Sequence, residues 1–392
     1  MTVARLRGIP PTIFAEMSAL AVATGSINLG QGFPDVDGPA EVVEQAAAAM
    51  RAGANQYAPG SGVPALREAV ARHQQRHYGI TLDPGTQVVV TTGATEAIAA
   101  AMLGLVEPGD EVVLLEPYYD SYLAMIQMAG GVRRPVTLRA PDFRLDVDAL
   151  RSAVSDRTRL ILLNTPHNPT GTVLTRDELQ AVADVAIEHD LIVVTDEVYE
   201  HLTFGSPHLP ISTLPGMAER TLTLSSLGKS YSFTGWKVGW ATGPAHLVDA
   251  VLGAKQWLTF TSGAPLQVAA AWALDSLPDW PTALAASLHE RRDLLCAGLS
   301  RAGLKVTTPQ GTYFATTDIS ALGWPDGDAF CRALPERAGV VAIPTQGFYE
   351  PGRPDHDHPG RQLFRWAFCK RPEVLEQAAA RLAGADLSCS PG

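Results

Sequence analysis

Short, nearly unbroken apolar runs alternate along most of the chain with longer segments whose apolar positions recur every three to four residues. The runs at 87–92, 111–116, 159–164, 191–196 and 221–225 are bounded by polar or turn residues and predict strands. Their continuous apolar character, as in Leu191-Ile192-Val193-Val194, predicts an α/β sheet covered on both faces and therefore largely parallel. Helical periodicity marks 95–106, 119–129 and 176–189. The last segment follows Thr175, with Glu178 three residues on, the spacing of a capping box.

After about residue 290 the rhythm changes. A long helix over 278–302 leads to short strands near 304–308, 312–318, 340–343 and 363–368, with helices near 328–338 and 372–383, the pattern of a smaller α+β domain. The first 40 residues, rich in Gly and Pro, are expected to form an arm that packs on that domain. The expected division is therefore an arm at 1–40, a large domain at 41–289 and a small domain at 290–392. The stretch 349–360 lacks periodicity and predicts a surface loop, so His356 and His358 within it are read as solvated loop residues rather than metal ligands.

Length fits this two-domain picture, because 392 residues exceed what one core usually supports. A net charge of −11 argues against nucleic acid, whose phosphates call for clustered Lys and Arg. The four widely spaced cysteines suit neither a zinc site nor a disulfide framework and are expected to be inert thiols in a reducing compartment. The longest apolar run, 97–106, is too short to span a bilayer, and Pro10, Pro11 and Glu16 interrupt any leader-like segment. A cytoplasmic protein without membrane or nucleic-acid partners is expected.

In parallel sheets, ligands bind beyond the carboxyl ends of the strands, where helices begin. Strand 87–92 runs into Gly93-Ala94-Thr95 and a helix start, a place to hold an anion. Strand 159–164 runs into the turn containing His167 and Asn168; strand 191–196 ends at Asp196 with Tyr199 following; strand 221–225 leads to Ser226 and Lys229. An anion cradle, an amide, a carboxylate, a phenol and a lysine thus meet at one edge. Pyridoxal phosphate asks for that set: a lysine for its aldehyde, a carboxylate for its ring nitrogen, donors for its ring hydroxyl and a helix start for its phosphate.

The stretch SLGKSYSFTGWKVGW at 226–240 resembles the cofactor-lysine motif of class I aminotransferases of fold type I. The likeness continues through INLGQGFPD at 27–35, NQYAPG at 55–60, TGATEAI at 92–98, EPYYDSY at 116–122, NTPHNPTG at 164–171, TDEVYEHL at 195–202, GTYF at 311–314 and FRWAF at 364–368. Within the class it is similar to the branch of kynurenine, glutamine, methionine and N-succinyldiaminopimelate aminotransferases. The resemblance implies a mostly parallel seven-stranded sheet in a large domain, and a small domain built from the arm and the C-terminal segment. It implies that Lys229 carries the cofactor as a Schiff base and moves the proton as general base. Asp196 would meet the ring nitrogen, Tyr199 and Asn168 the ring hydroxyl, and Tyr119 the ring face. Ala94, Thr95, Ser226 and Lys237 would hold the phosphate, joined by Tyr57 from a second copy in a homodimer. Arg365, with Asn168 and the backbone at Gly32, would take the substrate α-carboxylate. The implied reaction moves an amino group from an L-amino acid, either N-succinyl-L,L-diaminopimelate or an aromatic or thioether amino acid, to a 2-oxo acid such as 2-oxoglutarate.

Each residue alone has a plainer reading. Lys229 could be a surface lysine, Asp196 a helix cap, Tyr119 and Tyr122 core aromatics, and Asn168 a turn former. Arg365 resists this, because an Arg inside an apolar strand needs an anion. Glu197 is expected to face away from Asp196, and His167 to be a turn residue. Ser226-x-x-Lys229 also fits a serine acyl-transfer pattern, but K-T-G and S-D-N are missing from the chain. A DNA-binding regulator built on this fold would need a basic head, which the sequence given lacks. Elimination or ring-forming chemistry on the same scaffold stays open as the alternative, since it begins with the same Cα deprotonation.

Overall fold

The computed structural model describes residues 3–9 and 12–389; the Pro10-Pro11 pair lies outside them. The largest sheet has seven strands: β1 (Val88–Thr91), β2 (Glu111–Glu116), β3 (Val132–Thr137), β4 (Thr158–Asn164), β5 (Ile192–Asp196), β6 (Thr221–Ser226) and β7 (Gly239–Thr242). Their order is β1-β7-β6-β5-β4-β2-β3, and only β7 runs antiparallel to its neighbours. The chain therefore has the expected α/β fold with a mostly parallel sheet.

Side chains alternate across the pleat, and both faces are covered. Val112, Leu114, Leu160 and Leu162 join the helices Gly93–Leu105 and Asp120–Ala129 in one apolar layer. Val113, Leu115, Ile161 and Leu163 join helix Arg176–Glu188 in the other. That helix starts with the expected capping box: Thr175 accepts from the Glu178 N–H while the Glu178 carboxylate accepts from the Thr175 N–H. Strand β7 was not among the runs read as strands, and neither was β3. As the edge strand β3 carries Val132-Arg133-Arg134-Pro135, and its arginines pair with Glu350 and Glu111 instead of entering the core.

The C-terminal third builds a second, antiparallel sheet from β8 (Lys305–Thr307), β9 (Phe314–Asp318), β10 (Ile343–Pro344) and β11 (Leu363–Ala367), in the order β10-β11-β9-β8. The N-terminal segment packs beside it through a separate two-stranded sheet. Ile27–Asn28 pairs in parallel with Val340–Val341, and Met17, Ala21 and Leu29 enter the same apolar cluster as Phe330, Trp366 and Leu375. The 349–360 stretch is irregular, as expected, but anchored at its start: Glu350 pairs with Arg133 at 2.7 Å, and Arg353 with the buried Glu116. Cys296, Cys331 and Cys369 are buried, and burial pushes each thiol upward in pKa. Among the described residues no helix is long and apolar enough to cross a membrane.

Candidate active site

The register of the sheet decides which side chains meet. Asn164 and Asp196 end adjacent strands as paired positions, and Gly239 lies opposite both Ser226 and Thr91. A cavity of about 180 Å³ opens at this edge, and its lining includes Ala94, Thr95, Tyr119, Asn168, Asp196, Tyr199, Ser226, Lys229 and Lys237. Nine of the residues singled out from sequence are therefore brought together by the fold. Tyr57 is not among them: its side chain is 84% exposed, with its ring edge against Phe260 at 5.5 Å. Arg365 and Gly32 flank the cavity rather than line it.

One end of the cavity is an anion cradle. Helix Gly93–Leu105 starts here without a side-chain cap from Thr92, so its first N–H groups face the cavity with the positive end of the helix dipole. Lys237 adds a cation, its Nζ 3.3 Å from Thr95 Oγ1. Backbone must come close for this. A Cβ on Gly239 would stand 2.6 Å from the Gly93 carbonyl carbon, and Gly93 itself has φ +70°, which glycine alone adopts freely.

The centre holds two groups of opposite charge, Asp196 buried and Lys229 part-buried. Burial raises Asp196 to about pH 6, against the Tyr122 hydroxyl (2.7 Å to Oδ2) and the Val198 N–H (3.3 Å to Oδ1), which both favour the carboxylate. Burial likewise lowers Lys229 to about 8. About a tenth of such lysines carry a free amine at pH 7, against fewer than one in a thousand for a solvated lysine. Lys229 Nζ donates to Tyr313 Oη at 2.8 Å, and Tyr313 Oη donates to the Gly32 carbonyl at 2.5 Å. Neither Tyr122 nor Tyr313 was singled out from sequence as a site residue. Tyr122 belongs to the EPYYDSY motif and Tyr313 to GTYF, so the motifs were the available signal.

Arg365 is 1% exposed, and among the described residues it has no carboxylate in ion-pair range. Its Nη1 donates to Asn168 Oδ1 and its Nη2 to the Gly30 carbonyl, both at 2.9 Å, while its buried Nε lacks a partner. The guanidinium lies 3.8 Å from the Phe314 ring centroid, with Phe14 and Phe348 at 4.9 and 5.5 Å. Burial pulls its pKa down to about 10. A buried, underpaired cation is costly unless an anion joins it. Gly32 makes room for this arrangement, since a Cβ there would meet Phe314 Cζ at 2.5 Å.

Glu197 does face away, accepting from Thr195 Oγ1 (3.0 Å) and paired with His208 at 2.8 Å. His167 sits in its turn but is buried, with Nδ1 2.7 Å from Thr170 Oγ1.

A lysine with a depressed pKa, a facing carboxylate and an anion cradle in one cavity fit pyridoxal phosphate. Comparison with known families agrees. The profile of "Aminotransferase class I and II" matches residues 24–382. The chain belongs to the class I and II aminotransferases. It is 52% identical over 389 residues to "Probable N-succinyldiaminopimelate aminotransferase DapC" of Mycobacterium tuberculosis, covering 97% of this chain and 98% of the relative. It is 41% identical to the methionine aminotransferase of Escherichia coli, covering 96% and 97%. The solved N-succinyldiaminopimelate aminotransferase of Mycobacterium tuberculosis superposes with a TM-score of 0.94 over 98% of this chain and 99% of that one. This aminotransferase is thus a pyridoxal-phosphate-dependent enzyme of the kynurenine, methionine and N-succinyldiaminopimelate branch. The elimination alternative gains no support from these relatives.

Proposed function

We propose that the cavity between the strand ends and Arg365 is the transamination centre, and that Lys229 is its catalytic residue. The observation that supports this most is Lys229 itself, part-buried and shifted down to about 8 in the same cavity as the buried Asp196. Pyridoxal phosphate, when bound, supplies an aldehyde for an amine and a protonated ring that accepts the electron pair left at the substrate Cα. Ala94, Thr95, Ser226 and Lys237 would hold its phosphate. Asp196, kept in place by Tyr122, would hold the proton on the ring nitrogen. Tyr199 and Asn168 would bond the ring hydroxyl, and Tyr119 would lie against the ring.

Lys229 Nζ would take the proton from the substrate Cα. A group that titrates near 8 suits that task, because it can both accept and return a proton near neutral pH. Arg365 orients the substrate through its α-carboxylate, helped by Asn168 and the backbone at Gly32. We expect Arg365→Leu to raise KM and lower kcat for every α-amino acid donor, reducing kcat/KM by about 10³-fold, since a buried bidentate ion pair is lost. Steady-state assays with two unrelated donors check this. A loss confined to one donor would move Arg365 from the α-carboxylate to a side-chain role.

The active unit in this reading is a homodimer. Tyr57 and Trp257 are more than four-fifths exposed, with Phe260 half-exposed beside them, an apolar patch for a second copy to cover. Tyr57 would then complete the neighbouring phosphate site. The division into an arm at 1–40, a large domain at 41–289 and a small domain at 290–392, and a cytoplasmic location suited to the buried thiols, belong to the same reading.

The donor follows from two observations that point differently. The similarity to the mycobacterial N-succinyldiaminopimelate aminotransferase over nearly the whole chain favours N-succinyl-L,L-diaminopimelate, with 2-oxoglutarate as acceptor. The phenyl rings of Phe14 and Phe348 beside Arg365 favour a second reading, an aromatic or thioether donor. A donor panel against 2-oxoglutarate separates them. A kcat/KM highest for the succinylated diamino acid supports the first reading, and one highest for methionine or kynurenine supports the second.

A further inference from the structure

Behind the turn that follows Asp196, three imidazoles converge from two parts of the chain. His73 and His77 are four apart on helix Pro64–Tyr78 and so share one face of it, and His201 lies two residues beyond Tyr199. One ring nitrogen of each lies within 4.8 Å of the other two. The ring centroids form a near-equilateral triangle with sides of 4.6, 4.7 and 4.9 Å. We propose that His73, His77 and His201 form a binding site for a divalent transition-metal ion, with zinc the best fit, that ties helix Pro64–Tyr78 to the turn carrying Tyr199.

The donor chemistry selects the ion. Three imidazoles with no thiolate suit zinc, copper(II) or nickel(II), not magnesium or calcium. Zinc bound at about 2.0–2.1 Å in a tetrahedron sets its nitrogens about 3.3 Å apart. His73 Nε2 and His201 Nε2 now stand 2.7 Å apart and share one hydrogen, so they would part slightly while His77 closes in. The shared proton would move to the Nδ1 of its own ring, leaving both Nε2 lone pairs for the metal. No proton need be lost to solvent. Burial holds all three rings in the neutral, ligating form: His201 is lowered to about 4, His73 well below its ordinary value, and His77 below it as well. Charge compensation is also at hand. Glu200, buried beside the cluster, and Asp279 act on His77 electrostatically against the opposing charge of Arg76, and the Glu200 carboxylate is held by the Ser225 hydroxyl. The second shell is incomplete, since His73 Nδ1 is buried without a partner, and this points to moderate rather than tight affinity.

The test uses the holoenzyme, stripped by a chelator and dialysed against low-micromolar Zn²⁺ without amino acid. We expect close to one zinc per chain, with zinc-edge X-ray absorption showing three imidazole nitrogens, and a thermal midpoint raised by a few degrees. Replacement by Co²⁺ should give the visible bands of a tetrahedral site, well apart from the cofactor absorbance. His77→Ala and His201→Ala should each weaken uptake at least about tenfold, whereas the double variant His356→Ala/His358→Ala should not. Absence of zinc uptake by the wild-type holoenzyme overturns the proposal. So does uptake with fewer than three imidazoles, or uptake lost in the His356/His358 variant and kept in the other two. The wild-type absorption spectrum decides the matter even where a variant does not fold.

Discussion

Lys229→Ala is expected to abolish the covalently held, imine-absorbing form of the cofactor and to lower kcat/KM by at least about 10⁴-fold. The reason is geometric as well as chemical. Lys229 Nζ lies in the cavity that Asp196, Ser226 and Lys237 also line, and its partner is the Tyr313 hydroxyl rather than a carboxylate. The other lysine of the cavity, Lys237, sits at the anion cradle beside Thr95, and Lys255 is buried against the carbonyls of Gly60 and Phe260. Neither is placed to substitute for it. The fold should survive, because Tyr313 keeps its bond to the Gly32 carbonyl and the variant removes a desolvated cation. Absorbance, turnover and thermal unfolding of the purified variant check this together. A variant that keeps the imine band and its activity would remove Lys229 from the role.

Asp196→Asn is expected to keep the cofactor bound but to lower kcat by about 10³-fold, since a neutral amide does not hold the proton on the ring nitrogen. The same substitution should change sign in its effect on stability. Asp196 in the cofactor-free protein has its pKa raised to about 6 from 3.8 by burial. A carboxyl raised in the folded state contributes stability that is full below its unfolded pKa and is lost as pH rises through its folded one. Above pH 6 the ionised Asp196 therefore costs the cofactor-free protein on the order of 3 kcal/mol, lost progressively from about pH 4 to 6. Asn avoids that cost and can still accept from the Tyr122 hydroxyl. At pH 7.5, about 1.5 units above the folded value, cofactor-free Asp196→Asn should unfold at a higher temperature than the cofactor-free wild type, and holo-Asp196→Asn at a lower one than the holo wild type. Parallel shifts in both forms would show that Asp196 serves packing rather than the ring.

The parts of the fold that were legible in the sequence are those where one local pattern decides. Strands β4 and β5 are apolar on both faces and end in Asn164 and Asp196, so their burial and their carboxyl ends could be read directly. The edge strand β3 was not, because one side of it needs no partner and its two arginines carry no strand pattern. At the site, residues set just beyond strand ends were readable because topology brings such ends together whatever lies between them. Tyr122 was weighed only as a core aromatic, since its bond to Asp196 joins positions 74 apart. Tyr313 was missed because its role depends on the Gly32 carbonyl, 281 residues away. The His73 and His77 spacing is visible on its helix, but His201 joins them only in three dimensions. Tyr57 is exposed in the single chain, as a residue that serves the site of a second copy would be.

The most direct measurement is chemical mapping of the cofactor. Holoenzyme reduced with borohydride and digested should yield one peptide carrying a phosphopyridoxyl group, and fragmentation should place that group on Lys229. A mark on Lys237 or Lys255, or a digest without any mark, would contradict the account.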